Sequence, residues 1–220
     1  MPDQFSPAPI LSPRAGELHP SAGAGTPTVA VLFARSDSVY KRLPGTDVWD
    51  IERDARLWPG GMPVVAHPPC RAWGCLAHMA KPRPDERDLA LWAVDRVREY
   101  GGVLEHPRTS RLWLEKPLPL PGEVDAWGGW TLPVLQWWWG HKAAKSTKLY
   151  IVGIRPNDLP AFPFRLGIPD FVVSSSCRRR DGSRLYRREI SKAEREQTPP
   201  AFADWLLQLA RCTSREACHV

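Results

Sequence analysis

The sequence predicts an α/β domain organised around a mostly parallel sheet, and three observations predict it. Short apolar runs alternate with a strongly helical stretch at the spacing of strand–helix–strand units. The first run, residues 29–33 (VAVLF), is apolar throughout, as strands buried on both faces are. Two of the runs empty straight into reactive side chains, one into His67-Pro68-Pro69-Cys70 and one into Glu105-His106-Pro107. A length of 220 residues supports one domain, and 43% hydrophobic with 25% charged residues excludes wholesale disorder.

Residues 1–27 carry a Pro, Gly, Ser and Ala bias without periodicity, so a flexible tail is expected there. The fold is expected over residues 28–212, with 213–220 a second tail. After the strand at 29–33 comes a polar turn, then a short helical piece at 39–43 stopped by Pro44-Gly45. Strands are expected at 47–51, ending in acidic residues, and at 63–66 (PVVA). Asp85 is placed to N-cap a helix over Glu86–Tyr100, with Asp88 as a weak capping-box partner. Leu89, Trp92, Ala93, Val94 and Val97 cover much of that helix, which predicts burial against the sheet. Gly101-Gly102 ends it, and a strand begins at Val103-Leu104 and stops at Glu105. Residues 130–138 and 149–152 read as two more strands forming an antiparallel pair. Residues 154–190 are Pro-rich and then basic. Thr198-Pro199-Pro200 starts a closing helix whose apolar side is Phe202, Trp205, Leu206 and Leu209.

No run approaches the ~20 apolar residues of a membrane span, and residues 1–25 lack the apolar centre of a signal peptide, so no membrane association is expected. Five cysteines, an odd number without scaffold spacing, point to free thiols in a reducing, cytoplasmic setting. Cys177, Cys212 and Cys218 show no partner pattern. Thirty basic against 24 acidic residues leave a net charge of +6, which suits a polyanionic partner.

In an open α/β sheet, ligands sit at the carboxyl ends of the strands. Cys70 and Glu105, each following a strand, are therefore expected to face one crevice. A thiol and a carboxyl there suit covalent chemistry on a ring that is attacked and protonated together. The prolines stiffen the turn that presents the thiol. His67, Cys70, Cys75 and His78 also have the ligand types for zinc, but a strand-to-loop junction is a poor cage for four ligands so close in sequence. The zinc-deaminase pattern of His-x-Glu with Pro-Cys-x-x-Cys is absent. Trp137, Trp138 and Trp139 are expected in the core rather than stacked on bases.

Over residues 29–210 the chain resembles a shortened DNA cytosine-5 methyltransferase. Pro68, Pro69 and Cys70 match that family's catalytic Pro-Pro-Cys, and Glu105-His106-Pro107 takes the place of its Glu-Asn-Val. Residues 48–55 (VWDIERDA) resemble the strand whose acidic end holds the cofactor ribose. Trp139-Gly140-His141 through Gly153 resembles the segment before the target-recognition region, and residues 194–210 resemble the last motif. The resemblance implies a Rossmann-like methyltransferase fold with helices on both faces. It implies S-adenosylmethionine held by Phe33, Ser36, Asp37, Asp50 or Glu52, and Pro68. Cys70 would attack C6 of a flipped cytosine while Glu105 holds N3, with Lys148 standing for the last arginine of the Gln-x-Arg-x-Arg cluster. DNA would be held by Arg71, Lys142, Lys145, Arg178, Arg179, Arg180, Arg184, Arg187 and Arg188. The sequence departs from the family in three ways: residues 33–38 (FARSDS) lack the glycines of the first motif, the Gln-x-Arg-x-Arg cluster is reduced to Lys142, Lys145 and Lys148, and the recognition domain shrinks to a basic insert at 154–190. Two readings compete with DNA methylation. One is a pyrimidine C5-modifying enzyme with a nucleotide substrate or another donor; the other is a non-catalytic nucleic-acid-binding relative.

Overall fold

The computed structural model describes residues 28–74, 77–161, 163–173 and 187–213. The expected tail at 1–27, Cys75, Cys177, Arg178, Arg179, Arg180, Arg184 and residues 214–220 lie outside them. In chain order the strands and helices are β1 (Val29–Leu32), β2 (Thr46–Trp49), β3 (Val64–Ala66), α1 (Glu86–Tyr100), β4 (Gly102–Pro107), α2 (Leu112–Glu115), β5 (Trp130–Leu135), β6 (Ser146–Val152), β7 (Phe171–Val172), β8 (Arg188–Glu189), α3 (Lys192–Glu196) and α4 (Pro200–Cys212). Six strands form one sheet in the order β2-β1-β3-β4-β6-β5, and β7 with β8 forms a separate ribbon.

The sheet is mixed. β2, β1, β3 and β4 are mutually parallel, whereas β6 runs antiparallel to both β4 and β5. The antiparallel pairing of the last two strands is as expected from sequence, and it makes β6 the one reversed strand of the six. Pro133 lies in β5, the edge strand, where a missing N–H costs no ladder bond.

Side-chain alternation assigns each strand residue to one of two cores. Val29, Val31, Val65, Val103, Leu149 and Ile151 pack with α4 residues Phe202, Leu206 and Leu209. Ala30, Leu32, Val64, Ala66, Leu104 and Tyr150 pack with α1 residues Ala90, Ala93, Val94 and Val97. Hence β1 and β3 are buried on both faces, as their unbroken apolar runs require. Trp139 belongs to the α4 core, at 4.8 Å from Phe202 and 5.1 Å from Trp205 between ring centres. Trp137 and Trp138 are half-buried, with Arg165 over the ring of Trp137.

Several element ends differ from expectation for visible reasons. Asp85 precedes α1 but makes no capping bond, because its carboxylate takes Arg56 at 3.0 Å. The N-cap of α4 is Pro199, whose carbonyl accepts from Phe202 N and Ala203 N. The run at 130–138 stops being a strand at Leu135, and Gln136–Trp139 turns into a 3-10 helix closed by Gly140 at φ 91. α3 was not anticipated, although Ser191 and Glu194 form a full capping box. Among the described residues no helix is long and apolar enough to cross a membrane.

Candidate active site

The order β2-β1-β3 reverses direction at β1, so the crevice of this sheet falls beyond the carboxyl ends of β1 and β3. Phe33 and His67 are the first residues past those two strands. The ladder between β3 and β4 ends at Ala66 and Leu104. Glu105, the next residue of β4, thus lies beside His67, and alternation turns both toward the α4 face. His67 Nδ1 is 3.0 Å from Glu105 Oε2, and His67 Nε2 is 2.9 Å from Tyr40 Oη. Gln136 Nε2 donates to Glu105 Oε1 at 3.1 Å. Tyr40, His67, Glu105 and Gln136 therefore form one connected polar chain on the edge of an apolar core.

Burial pushes the Glu105 carboxyl up. The His67 hydrogen bond, and after it the charge of Lys145, outweigh it and bring Glu105 to about 2. Cys70 sits on the exposed loop after β3. Surrounding atoms still crowd its thiol, so desolvation first and the charge of Glu105 second push it above the ordinary range, while Lys145 pulls it back. The expected pair of Cys70 and Glu105 is thus brought within electrostatic reach, with Lys145 acting on both.

Iodoacetamide labelling of Cys70, followed by peptide mapping, is expected to show a pH midpoint above the ~8.5 of a free thiol. Glu105→Gln removes a negative charge and should lower that midpoint, speeding labelling at pH 8. Lys145→Met should raise it and slow labelling. A midpoint unmoved by either change would mean that the three groups do not share a field.

Lys148, expected as a catalytic partner, lies elsewhere. It pairs with His106 across the ladder, on the face of Tyr150, and its Nζ stands 5.2 Å from the Trp113 ring centre. That is the α1 face, opposite Glu105; Lys145, expected on DNA, takes the place beside the reactive pair. His106 is fully buried and neutral, brought to about 4 by burial.

A second feature opens on the α1 side. A cleft of about 220 Å³ is lined by Phe33, Ala34, Asp50, Ile51, Asp54, Ala55, Arg56, Pro69, Arg83, Asp85 and Leu89. Pro69, rather than the buried Pro68, forms its wall. Phe33 at φ 62 and Asp54 at φ 48 both adopt left-handed backbone, the two such non-glycine residues among those described. At Phe33 the chain makes without glycine the turn that ends β1. Such strain costs about 1–3 kcal/mol per residue and concentrates at functional clefts.

The acidic residues divide differently from expectation. Asp50 follows β2 directly, but its carboxylate is 3% exposed, bound to Lys41 Nζ at 2.6 Å and to the backbone N–H groups of Glu52 and Arg53. Glu52 is exposed and belongs to a separate surface hollow. The half-exposed carboxylates of the cleft are Asp54, at 37%, and Asp85, at 46%, and Arg56 binds both. Ser36 and Asp37 are exposed but line no part of the cleft, and Asp37 is held by Arg35.

Several expected phosphate contacts are engaged within the protein. Arg71 forms a two-point pair with Glu86, which is fully buried at the start of α1. Lys142 pairs with Glu194, and Lys145 Nζ donates to the Gln197 carbonyl at 3.2 Å. Arg187 donates to the Pro169 carbonyl, and Arg188 is exposed in β8. Both ring nitrogens of His67 are taken by Tyr40 and Glu105, which leaves neither for the zinc set considered above.

His67, Tyr40 and Gln136 are the members of the site that sequence reasoning did not assign. The visible signal for His67 was its place as first residue after β3. Tyr40 and Gln136 come from separate segments, and only the folded chain brings them to Glu105. The architecture defines a mixed-sheet α/β protein with a thiol and an ionised carboxylate beside its topological switch point. No protein-family model, curated protein or solved structure matches the chain.

Proposed function

We propose that the protein methylates cytosine at C5 in DNA, with S-adenosylmethionine as donor and Cys70 as the nucleophile that adds to C6. The observation that carries this reading is the shared placement of Cys70, Glu105 and Lys145, with a separate cleft across the same Pro68-Pro69 turn. A base on the Glu105 side and a donor on the Phe33 side would both touch the loop that holds the thiol. The Rossmann-like methyltransferase arrangement belongs to the same proposal, supported by the switch point at β1 and by helices on both faces of the sheet.

The cleft fits the proposed donor in character. Phe33, Ile51 and Pro69 supply apolar wall for a purine, Ile51 being 65% exposed, and the Asp54 and Asp85 carboxylates, both paired with Arg56, give the cleft a polar side. When bound there, the donor supplies an electrophilic methyl group. The chain's own residues do the remainder. Lys145 favours the Cys70 thiolate, and the thiolate is needed because C6 is a weak electrophile. Glu105 holds the pyrimidine edge at N3. Gln136 and His67 fix both oxygens of that carboxylate, so its direction is set before substrate arrives. The basic residues of the 154–190 insert, with Arg187 and Arg188 exposed or half-exposed, supply phosphate contacts without base reading. Extruding the base costs a few kcal/mol, which those contacts offset.

Nucleoside mass spectrometry of DNA incubated with the protein and S-adenosylmethionine is expected to show 5-methylcytosine. Methylation of free deoxycytidine nucleotides but not DNA would move the reading to the nucleotide-modifying alternative. DNA binding without any modified base would favour the non-catalytic one.

A further inference from the structure

We infer that His67 is the proton reservoir through which Glu105 protonates the ring, a positioning residue that reaches the substrate only through that carboxylate. The inference rests on the pyrimidine reading above. Two hydrogen bonds carry it: Nδ1 to Glu105 Oε2 at 3.0 Å and Nε2 to Tyr40 Oη at 2.9 Å. A phenol both donates and accepts. With the imidazole neutral, Tyr40 donates to Nε2; with the imidazolium, Nε2–H donates to Tyr40. Both protonation states keep both bonds, and only the hydroxyl of Tyr40, which is 1% exposed, has to rotate. The ring can therefore gain or lose a proton at Nε2 without moving.

No other described histidine of the sheet region has this arrangement. His106 is buried and faces no side-chain partner, only the Pro69 backbone, and the nitrogens of His141 face the Ala143 and Glu194 carbonyls. The requirement comes from Glu105. With donors on both of its oxygens it is held ionised, and an ionised carboxylate has no proton to give N3. Imidazole has two ring nitrogens and can hold a hydrogen bond on one while a proton moves at the other.

The step balances as follows. A thiolate lone pair forms the C6–S bond, the C5=C6 pair shifts to C4–C5, and the C4=N3 pair moves onto N3. Glu105 first takes the Nδ1 proton of the imidazolium and then gives it to N3, which leaves the imidazole with its Nε2–H donated to Tyr40 and its bond to Glu105 open until a proton returns to Nδ1. A thiolate and an imidazolium become a neutral adduct and a neutral imidazole, and Glu105 ends ionised as it began. Among the described residues, the titratable and charged groups around the unit are Tyr40 before β2, Glu105 and the neutral His106 on β4, Lys145 before β6, Glu196 at the end of α3, and Cys70 in the same loop.

Release of tritium from C5 of cytosine in duplex DNA tests the relay, since exchange needs the adduct but no methyl donor. Wild type is expected to show a rate with two limbs, one rising as the nucleophile ionises and one falling at alkaline pH as the proton donor of the relay is lost. His67→Gln keeps an N–H donor for Glu105 but carries no transferable proton. It should be about 10²-fold slower near pH 7 and lose the alkaline fall. In a Glu105→Gln background the same change should cost nothing further. Tyr40→Phe, which removes the acceptor for Nε2–H, should shift the alkaline fall to lower pH. An unaltered alkaline limb in both His67→Gln and Tyr40→Phe, or fully additive losses in the double variant, overturns the relay alone. Absence of release from wild type at every pH overturns the pyrimidine reading and the relay with it.

Discussion

Cys70→Ser is expected to lose methyl transfer by on the order of 10⁴-fold or more while the fold and its melting temperature stay unchanged. The size of the effect follows from acidity. The Cys70 thiol is pushed above its ordinary range by desolvation and Glu105, and Lys145 opposes that shift without reversing it, so the thiolate is formed only at alkaline pH or when substrate changes the surroundings. A serine hydroxyl, with a far higher pKa, supplies almost no anion under the same field. The fold should be indifferent because residue 70 is exposed on a loop after β3. Activity assays paired with thermal melts check both halves. Retained turnover in a normally folded Cys70→Ser variant would mean that the base is not attacked by this residue.

Gly102→Ala is expected to be the most damaging small substitution outside the site, lowering stability by about 3 kcal/mol or more. Gly102 opens β4 at φ 112, and a Cβ there would stand 2.0 Å from the Val64 carbonyl oxygen and 2.6 Å from its nitrogen. Both are backbone atoms of β3 and cannot swing aside. Relief would require separating the two central parallel strands at the ladder rung between Val64 and Gly102, which would also shift Glu105 away from His67. For a chain of this size the loss corresponds to a fall in Tm of roughly 6–12 °C. Gly61→Ala provides the contrast: its φ is also positive, at 92, but nothing lies within 4 Å of the added carbon, so its cost should be backbone strain alone.

The elements that sequence could reveal were those whose environment is uniform. β1 and β3 are buried on both faces, so their apolar runs announce them, and α1 carries Leu89, Ala90, Ala93, Val94 and Val97 in one buried stripe at helical spacing. β4 was legible as a strand, but not its reach past Glu105 to Pro107, because that extension is made by β6 through pairs such as Glu105 with Leu149. Cys70 and Glu105 were readable because each follows an apolar run. The facing of β6 was not readable: one residue of phase decides whether Lys148 or a neighbour meets Glu105, and strand period alone leaves that phase free. Asp50 illustrates the same gap. Its place after β2 was plain, but its pairing with Lys41 depends on where the 3-10 turn Val39–Arg42 docks.

The most direct measurement of the central claim is covalent capture on a duplex containing 5-fluorocytosine, with S-adenosylmethionine supplied. Fluorine at C5 cannot leave as a proton, so an adduct at C6 persists once the methyl group has been transferred. Intact mass and peptide mapping should find one DNA strand joined to the protein through the peptide that contains Cys70, with no complex from Cys70→Ser. A wild-type protein that forms no covalent complex, or one whose cross-link maps to another residue, would contradict the account.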